Sequence, residues 1–92
     1  MTELFHDWDP EKNAWLLEKR GVSFEMVVAA IESGGLLDIL RNKKPRTHQK
    51  LYIVLLEEYV YVVPFVEDSE KIFLKTIYPS RTLHKKYYEK KD

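Results

Sequence analysis

The chain contains no cysteine. Disulfide frameworks, thiolate zinc sites and cysteine nucleophiles are therefore excluded, and a reducing compartment fits. Its three glycines form no phosphate-cradling loop. No stretch approaches the ~18 consecutive apolar residues that span a bilayer, and the first residues lack the basic flank and apolar run of a signal peptide. A cytoplasmic protein with no membrane partner is expected. His6, His48 and His84 have no histidine four positions away and no other metal-ligand spacing, so neither a metal nor a cofactor is expected. No repeat or low-complexity tract interrupts the 92 residues, which predict one domain spanning 1–92.

What is present is a segregated charge. Residues 1–40 hold eight acids against three bases, and residues 41–92 hold twelve bases against seven acids, so a formal charge of zero divides into −5 and +5. Arg41, Lys43, Lys44, Arg46 and Lys50 occur within ten residues without an acid, and Lys75, Arg81, Lys85, Lys86, Lys90 and Lys91 follow later. Such asymmetry points to a polyanionic partner.

The periodicity changes along the chain. Asp9-Pro10 reads as a helix start, and a helix over 10–20 would place Ala14, Leu17 and Gly21 on one side, ending at Gly21. Ser23 caps a second helix with Phe24, Val27, Val28 and Ile31 on its buried side, stopped by Gly34-Gly35. Residues 36–40 read as a short edge strand, and residues 3–7 as a first strand. Three β-rich runs follow, at 51–56, 59–66 and 71–78, separated by short polar turns that favour antiparallel hairpins. Tyr59 to Val66 is apolar on both faces, and Pro64 within it implies an edge or a bulge. Pro79-Ser80 then starts a terminal helix with Leu83, Tyr87 and Tyr88 among lysines. The expected fold is α+β: a strand, a helical hairpin, an antiparallel sheet of three to four strands, and a C-terminal helix.

Three segments resemble the BrnT family, toxins of bacterial type II toxin-antitoxin modules. They are Trp8-Asp9-Pro10-Glu11-Lys12-Asn13, then Lys19-Arg20-Gly21-Val22-Ser23-Phe24-Glu25, and finally Ile77-Tyr78-Pro79-Ser80-Arg81 with Tyr87 or Tyr88 beyond. Each motif alone is weak; their order and spacing over nearly the whole chain is more specific. The resemblance implies a RelE-like fold and a ribonuclease that blocks translation by cutting RNA. It also implies a cognate ribbon-helix-helix antitoxin, through which alone the toxin meets operator DNA. Three departures stand out: Lys50 in place of an arginine, Arg20 in place of a histidine, and Pro79 in place of an aliphatic residue.

RNA carries its own nucleophile in the 2′-hydroxyl, so cleavage needs only a base, an acid and a cation for the developing phosphorane charge. Arg81 matches the arginine of the family's last motif and is the first candidate. His48, whose solution pKa suits proton transfer, and Lys50 follow, at the loop leading into a strand. Lys43, Lys44, Arg46, Lys75 and Lys85 are candidate RNA contacts, with Lys75 and Tyr78 on opposite strand faces. Blander readings stand beside these: His48 simply solvated, Lys75 lying over the core, Tyr78 in the core, Trp8 an anchor, Asp9 a cap and Lys12 facing solvent. Trp15, Tyr87 and Tyr88 could stack on bases, though aromatics at such spacing are core or antitoxin contacts more often than not. The leading expectation is a metal-independent endoribonuclease toxin; a non-catalytic nucleic-acid- or protein-binding module of the same fold is the alternative. The acidic first half should be a poor RNA surface.

Overall fold

The computed structural model describes residues 5–88. Strand β1 (Phe5–Asp7) leads into helix α1 (Pro10–Arg20), whose start is fixed by Asp9: its carboxylate accepts from the Glu11 amide at 3.0 Å. At the other end Gly21 adopts φ +72° and donates its N–H to the Leu17 carbonyl at 3.1 Å, a conformation that favours glycine. Helix α2 (Phe24–Glu32) follows, with the Ser23 hydroxyl accepting from the Met26 amide.

The side of α1 that enters the core differs from the expected stripe. Leu16 is fully buried, while Ala14, Leu17 and Gly21 are exposed. The cause is Asn13, three residues before Leu16 and so on the same side of the helix. Its Oδ1 accepts from the Phe24 amide at 2.7 Å and its Nδ2 donates to Glu25 at 2.8 Å. Phe24 opens α2, so its N–H is one of the donors that a helix start leaves without an internal partner. Trp8 stacks on the Phe24 ring, with centroids 5.6 Å apart. The anchor and cap readings of Trp8 and Asp9 hold, and Lys12 lies over the half-exposed Trp15 ring at 4.7 Å, on the outer side of α1.

Beyond α2, Gly35 passes close to other backbone: a Cβ there would stand 3.1 Å from the Ala30 carbonyl oxygen and 3.2 Å from that of Leu55. Strand β2 (Leu36–Arg41) is indeed at an edge, bulged between Leu36 and Asp38. Strands β3 (Lys50–Leu56) and β4 (Tyr59–Glu67) form a hairpin whose two-residue turn holds Glu57 at φ 51° and Glu58 at φ 70°. Two positive φ angles in succession match the right-handed strand twist, although glutamate is a poor residue for them.

The expected run over 71–78 divides into β5 (Lys71–Leu74) and β6 (Tyr78–Pro79), because Ile77 between them turns into the core and is fully buried. Both short strands pair with β4, β5 at Phe65 to Glu67 and β6 at Tyr61 and Val62. Pro64 sits where β4 changes partner. Its carbonyl accepts from the Lys75 amide at 2.8 Å, and the reciprocal bond that an antiparallel pair would make is the one proline cannot donate, so the β5 ladder ends there. Helix α3 (Arg81–Tyr87) closes the described chain, with the Ser80 hydroxyl accepting from the Leu83 amide at 3.2 Å.

The sheet therefore exceeds the expected three to four strands. Among the described residues it has six, in the order β1-β5-β4-β3-β2 with β6 beside β4, and it is mixed: β1 runs parallel to β5. Parallel pairing follows because the helical hairpin intervenes between β1 and the rest, carrying the chain across the sheet. Alternation along β3 and β4 sends residues to two cores. Tyr52, Val54, Leu56, Val63 and Phe65 pack under α1 and α2, while Ile53, Val60 and Val62 pack under Leu83 and Tyr87 of α3. The central strands are covered on both faces, which is why they are apolar on both.

Candidate nucleic-acid interface

The loop between β2 and β3 carries Lys43, Lys44, Arg46 and His48, all exposed. It is braced from within: the Arg46 amide donates to the Lys43 carbonyl, the Arg41 guanidinium to the Thr47 carbonyl, and Asn42 Nδ2 to Gln49. Apart from the Arg41 guanidinium these bonds use backbone and amide groups, and Lys43, Lys44 and Arg46 keep exposed side chains. Among the described residues only two ion pairs form, Lys50 with Glu67 at 3.6 Å and Lys71 with Asp7 at 3.2 Å. Of the sequence candidates, Lys50 alone is neutralised.

Lys75 is exposed, its ammonium 5.5 Å from the Phe73 ring centre. The expectation that it and Tyr78 lie on opposite faces does not hold. Strand β5 ends at Leu74, so alternation lapses before Tyr78. Lys75 then stands opposite Pro64 and Tyr78 opposite Val62, two positions apart on β4 and therefore on one face, the α3 face. Nor is Tyr78 a core residue; it is 39% exposed. Arg81 is exposed at the first position of α3, and Lys85 is exposed one turn later on the same side.

The structure does not bring the three catalytic candidates together. Lys50 lies opposite Phe65 at one end of the β3–β4 ladder, whereas Ser80, next to Arg81, bonds to Val60 near the other. Five residues of strand separate those levels, roughly 17 Å. Lys50 also shares the helical-hairpin face with Phe65 and Tyr52, while α3 crosses the opposite one. His48, two residues before Lys50, belongs to the Lys50 end. Distance along the chain and the two-residue period decide this separation, and neither is visible until register is known.

The environment of Arg81 holds residues that the sequence did not single out as a group. His84 is buried, and its Nδ1 accepts from the Val60 amide at 3.3 Å, which leaves the ring proton on Nε2. The same ring stacks on Tyr59 at 4.0 Å and approaches Tyr88 at 5.0 Å, and Tyr59 meets Tyr61 edge-on at 6.0 Å. His84 thus fastens α3 to the start of β4. Burial and the nearby Glu57 and Tyr59 push the Tyr61 phenol above its ordinary pKa. Three-residue spacing from Arg81 to His84 and the Tyr59/Tyr61 alternation were the available signals.

Tyr87 is committed elsewhere. Its hydroxyl donates to Asp38 on β2 at 2.7 Å, which raises the phenol pKa and holds the carboxyl below its usual range. Helix α3 thereby spans the sheet from β4 to its β2 edge. Tyr88 and Trp15 are each 41% exposed, Trp15 between Lys12 and Arg20 on the outer side of α1. Lys90 and Lys91 lie outside the described residues. Among those described, no three histidine, aspartate or glutamate side chains converge as a metal ion would require, and no helix is long and apolar enough to cross a membrane.

On the hairpin side Glu11, Glu18, Glu25 and Glu32 are exposed together with Lys19 and Arg20, while Lys43, Lys44, Arg46, Lys75, Arg81 and Lys85 form a second exposed set on the loop and around the α3 face, with Glu57 and Glu58 exposed at the β3–β4 turn. Phosphate oxygens could be held by the second set, and Arg81 can offer a bidentate fork. No family model and no curated protein matches the chain.

Proposed function

We propose that the protein is a BrnT-like toxin of RelE-like fold: a metal-independent endoribonuclease that inhibits translation and is neutralised by a ribbon-helix-helix antitoxin. One observation carries the RNA part. Lys43, Lys44, Arg46, Lys75, Arg81 and Lys85 are exposed and have no ion pair among the described residues, although the chain has as many acids as bases. Cations left unpaired in a neutral protein are available to phosphate. The activity itself rests on the motif resemblance around Arg81 and on the chemistry of RNA.

In this reading Arg81 neutralises the charge that develops on the scissile phosphate, Lys85 and Lys75 bind flanking phosphates, and the 2′-hydroxyl is the nucleophile. The test is purified protein acting on RNA, naked and ribosome-bound, with chelator present. Cleavage that Arg81→Ala reduces by at least ~100-fold, with circular dichroism unchanged, supports the assignment. Undiminished cleavage by the variant removes Arg81 from the site.

A second reading has its own observation: Lys50 and His48 stand at the far end of the sheet from Arg81, and His84 is occupied by the backbone. That pattern favours a non-catalytic RNA-binding module. It predicts salt-sensitive RNA affinity with no cleavage in the same assay.

A further inference from the structure

Helix α3 covers only part of the sheet face on which it lies. The apolar residues packed with Leu83 and Tyr87 come from β2, β3 and the first half of β4. Phe73 on β5 and Val66, its partner on β4, are half-buried and belong to neither core among the described residues. Both lie on the α3 face, since their neighbours Ile72, Leu74 and Phe65 point into the core under the helical hairpin.

Register sets an ordered row along this uncovered strip. Phe73 stands opposite Val66, Lys75 opposite Pro64, Tyr78 opposite Val62 and Ser80 opposite Val60, with Arg81 directly after Ser80. Those β4 residues are two apart, so successive levels are separated by about 7 Å and the row runs for about 20 Å. The order is aromatic, cation, aromatic, cation. Lys75, Tyr78 and Arg81 are exposed, and the Lys75 ammonium stands 5.5 Å from the Phe73 ring centre. Acids come near only at the two ends of the row among the described residues: Asp7, beside Phe73 on β1, is paired with Lys71, and Glu57 and Glu58 are exposed at the turn before Val60. None of them pairs with Lys75 or Arg81.

Cations alone would hold any polyanion, duplex or single-stranded. Accessible aromatic rings set between cations fit a strand whose bases are splayed apart, because base faces inside a duplex are already stacked on one another. A phosphate held at Lys75 has an aromatic ring one level to either side, within reach of the bases attached to it. A protein segment would need acids at the same spacing to answer Lys75 and Arg81, whereas RNA supplies a charge with every nucleotide. Resting on the RNA reading of the basic surface, we propose that this strip is a track for single-stranded RNA: Phe73 and Tyr78 are platforms on which bases stack, and Lys75 and Arg81 hold the phosphates between them.

The test uses a short 2′-O-methyl RNA, which lacks the nucleophile and so reports binding whether or not the protein cleaves. It carries one 2-aminopurine and is presented single-stranded or annealed to its complement. The single strand should bind at least ~10-fold more tightly than the duplex, with 2-aminopurine emission quenched by stacking. Tyr78→Leu keeps an apolar side chain but no stacking face; it should weaken the single strand at least ~5-fold, relieve the quenching and leave the salt dependence unchanged. Tyr78→Phe should bind as the wild type does. Phe73→Leu should behave like Tyr78→Leu, whereas Lys75→Ala should flatten the slope of log affinity against log salt by about 0.7. Tyr78 is exposed, so its variants should leave circular dichroism unchanged and carry the test if Phe73→Leu loses stability. Equal affinity for duplex and single strand would overturn the track and leave the RNA reading standing. So would undiminished binding by Tyr78→Leu where Lys75→Ala and Arg81→Ala bind weakly. Absence of salt-sensitive binding to either form would overturn both.

Discussion

Replacing Asn13 with alanine should detach the two helices from one another without touching the sheet. The side chain serves both at once, with Oδ1 on the Phe24 amide at 2.7 Å and Nδ2 on Glu25 at 2.8 Å. Phe24 is fully buried, so in Asn13→Ala its N–H loses its partner where water has little access; leaving such a donor unmade costs about 1–2 kcal/mol. The bond to the exposed Glu25 adds about 0.5 kcal/mol. The combined loss, about 2 kcal/mol, lowers the melting temperature of a domain this small by about 8–16 °C. Asn13→Asp keeps an acceptor for Phe24 but turns a carboxylate toward Glu25, and should lose less than alanine does. The Asn13 bond is also the main reason that the Glu25 carboxyl titrates below its ordinary value. A depressed folded-state pKa gives stability that is present above the unfolded-state value and disappears as pH falls through the folded one. The gap between wild type and Asn13→Ala should therefore narrow in acid. Urea unfolding followed by circular dichroism at several pH values measures all of this. A loss below ~0.5 kcal/mol at neutral pH, or an aspartate variant as damaged as the alanine one, would refute the clamp.

Further expectations concern the turns and the α3 anchor. Gly21→Ala meets no neighbouring atom within 4 Å, so its cost comes from φ +72° alone, about 1 kcal/mol in urea unfolding. Glu57→Asn combined with Glu58→Gly suits the φ angles of 51° and 70° and should stabilise by about 1–2 kcal/mol; no gain would mean that the turn rearranges. Tyr87→Phe removes the bond that holds the Asp38 carboxyl down, so its destabilisation should be full near neutrality and should fade as pH falls through the depressed Asp38 value. The Tyr87 phenol, raised by the same bond, should lose its contribution at alkaline pH as pH climbs through the folded value. Thermal melts across pH would check both limbs.

The Asn13 clamp recasts the segments on which the family resemblance was drawn. Trp8, Asp9, Asn13, Gly21, Ser23 and Phe24 build and fasten the helical hairpin: a stack, two caps, a left-handed turn and a clamp. Those residues specify architecture. Arg81 differs, being exposed and contributing a charge but no ion pair among the described residues. The N-terminal motifs therefore bear on fold, and the test of activity falls on the last motif.

Local chemistry was sufficient to read both hairpin helices with their caps, the β3–β4 turn and the start of α3, since each is decided within a few residues by capping, glycine or periodicity. The two apolar faces of β4 likewise announced a strand covered on both sides. Contacts distant in sequence were not legible. Which side of α1 is buried depends on Asn13 meeting Phe24, the parallel place of β1 depends on the crossover, and the split of 71–78 depends on Ile77 finding the core. The charge segregation shows the division most clearly: sequence alone determined that acids lead and bases follow. Only tertiary structure decided that, among the described residues, most of the candidate bases form no ion pair. Register alone, set by pairing between strands, put Lys50 and Arg81 at opposite ends of one sheet.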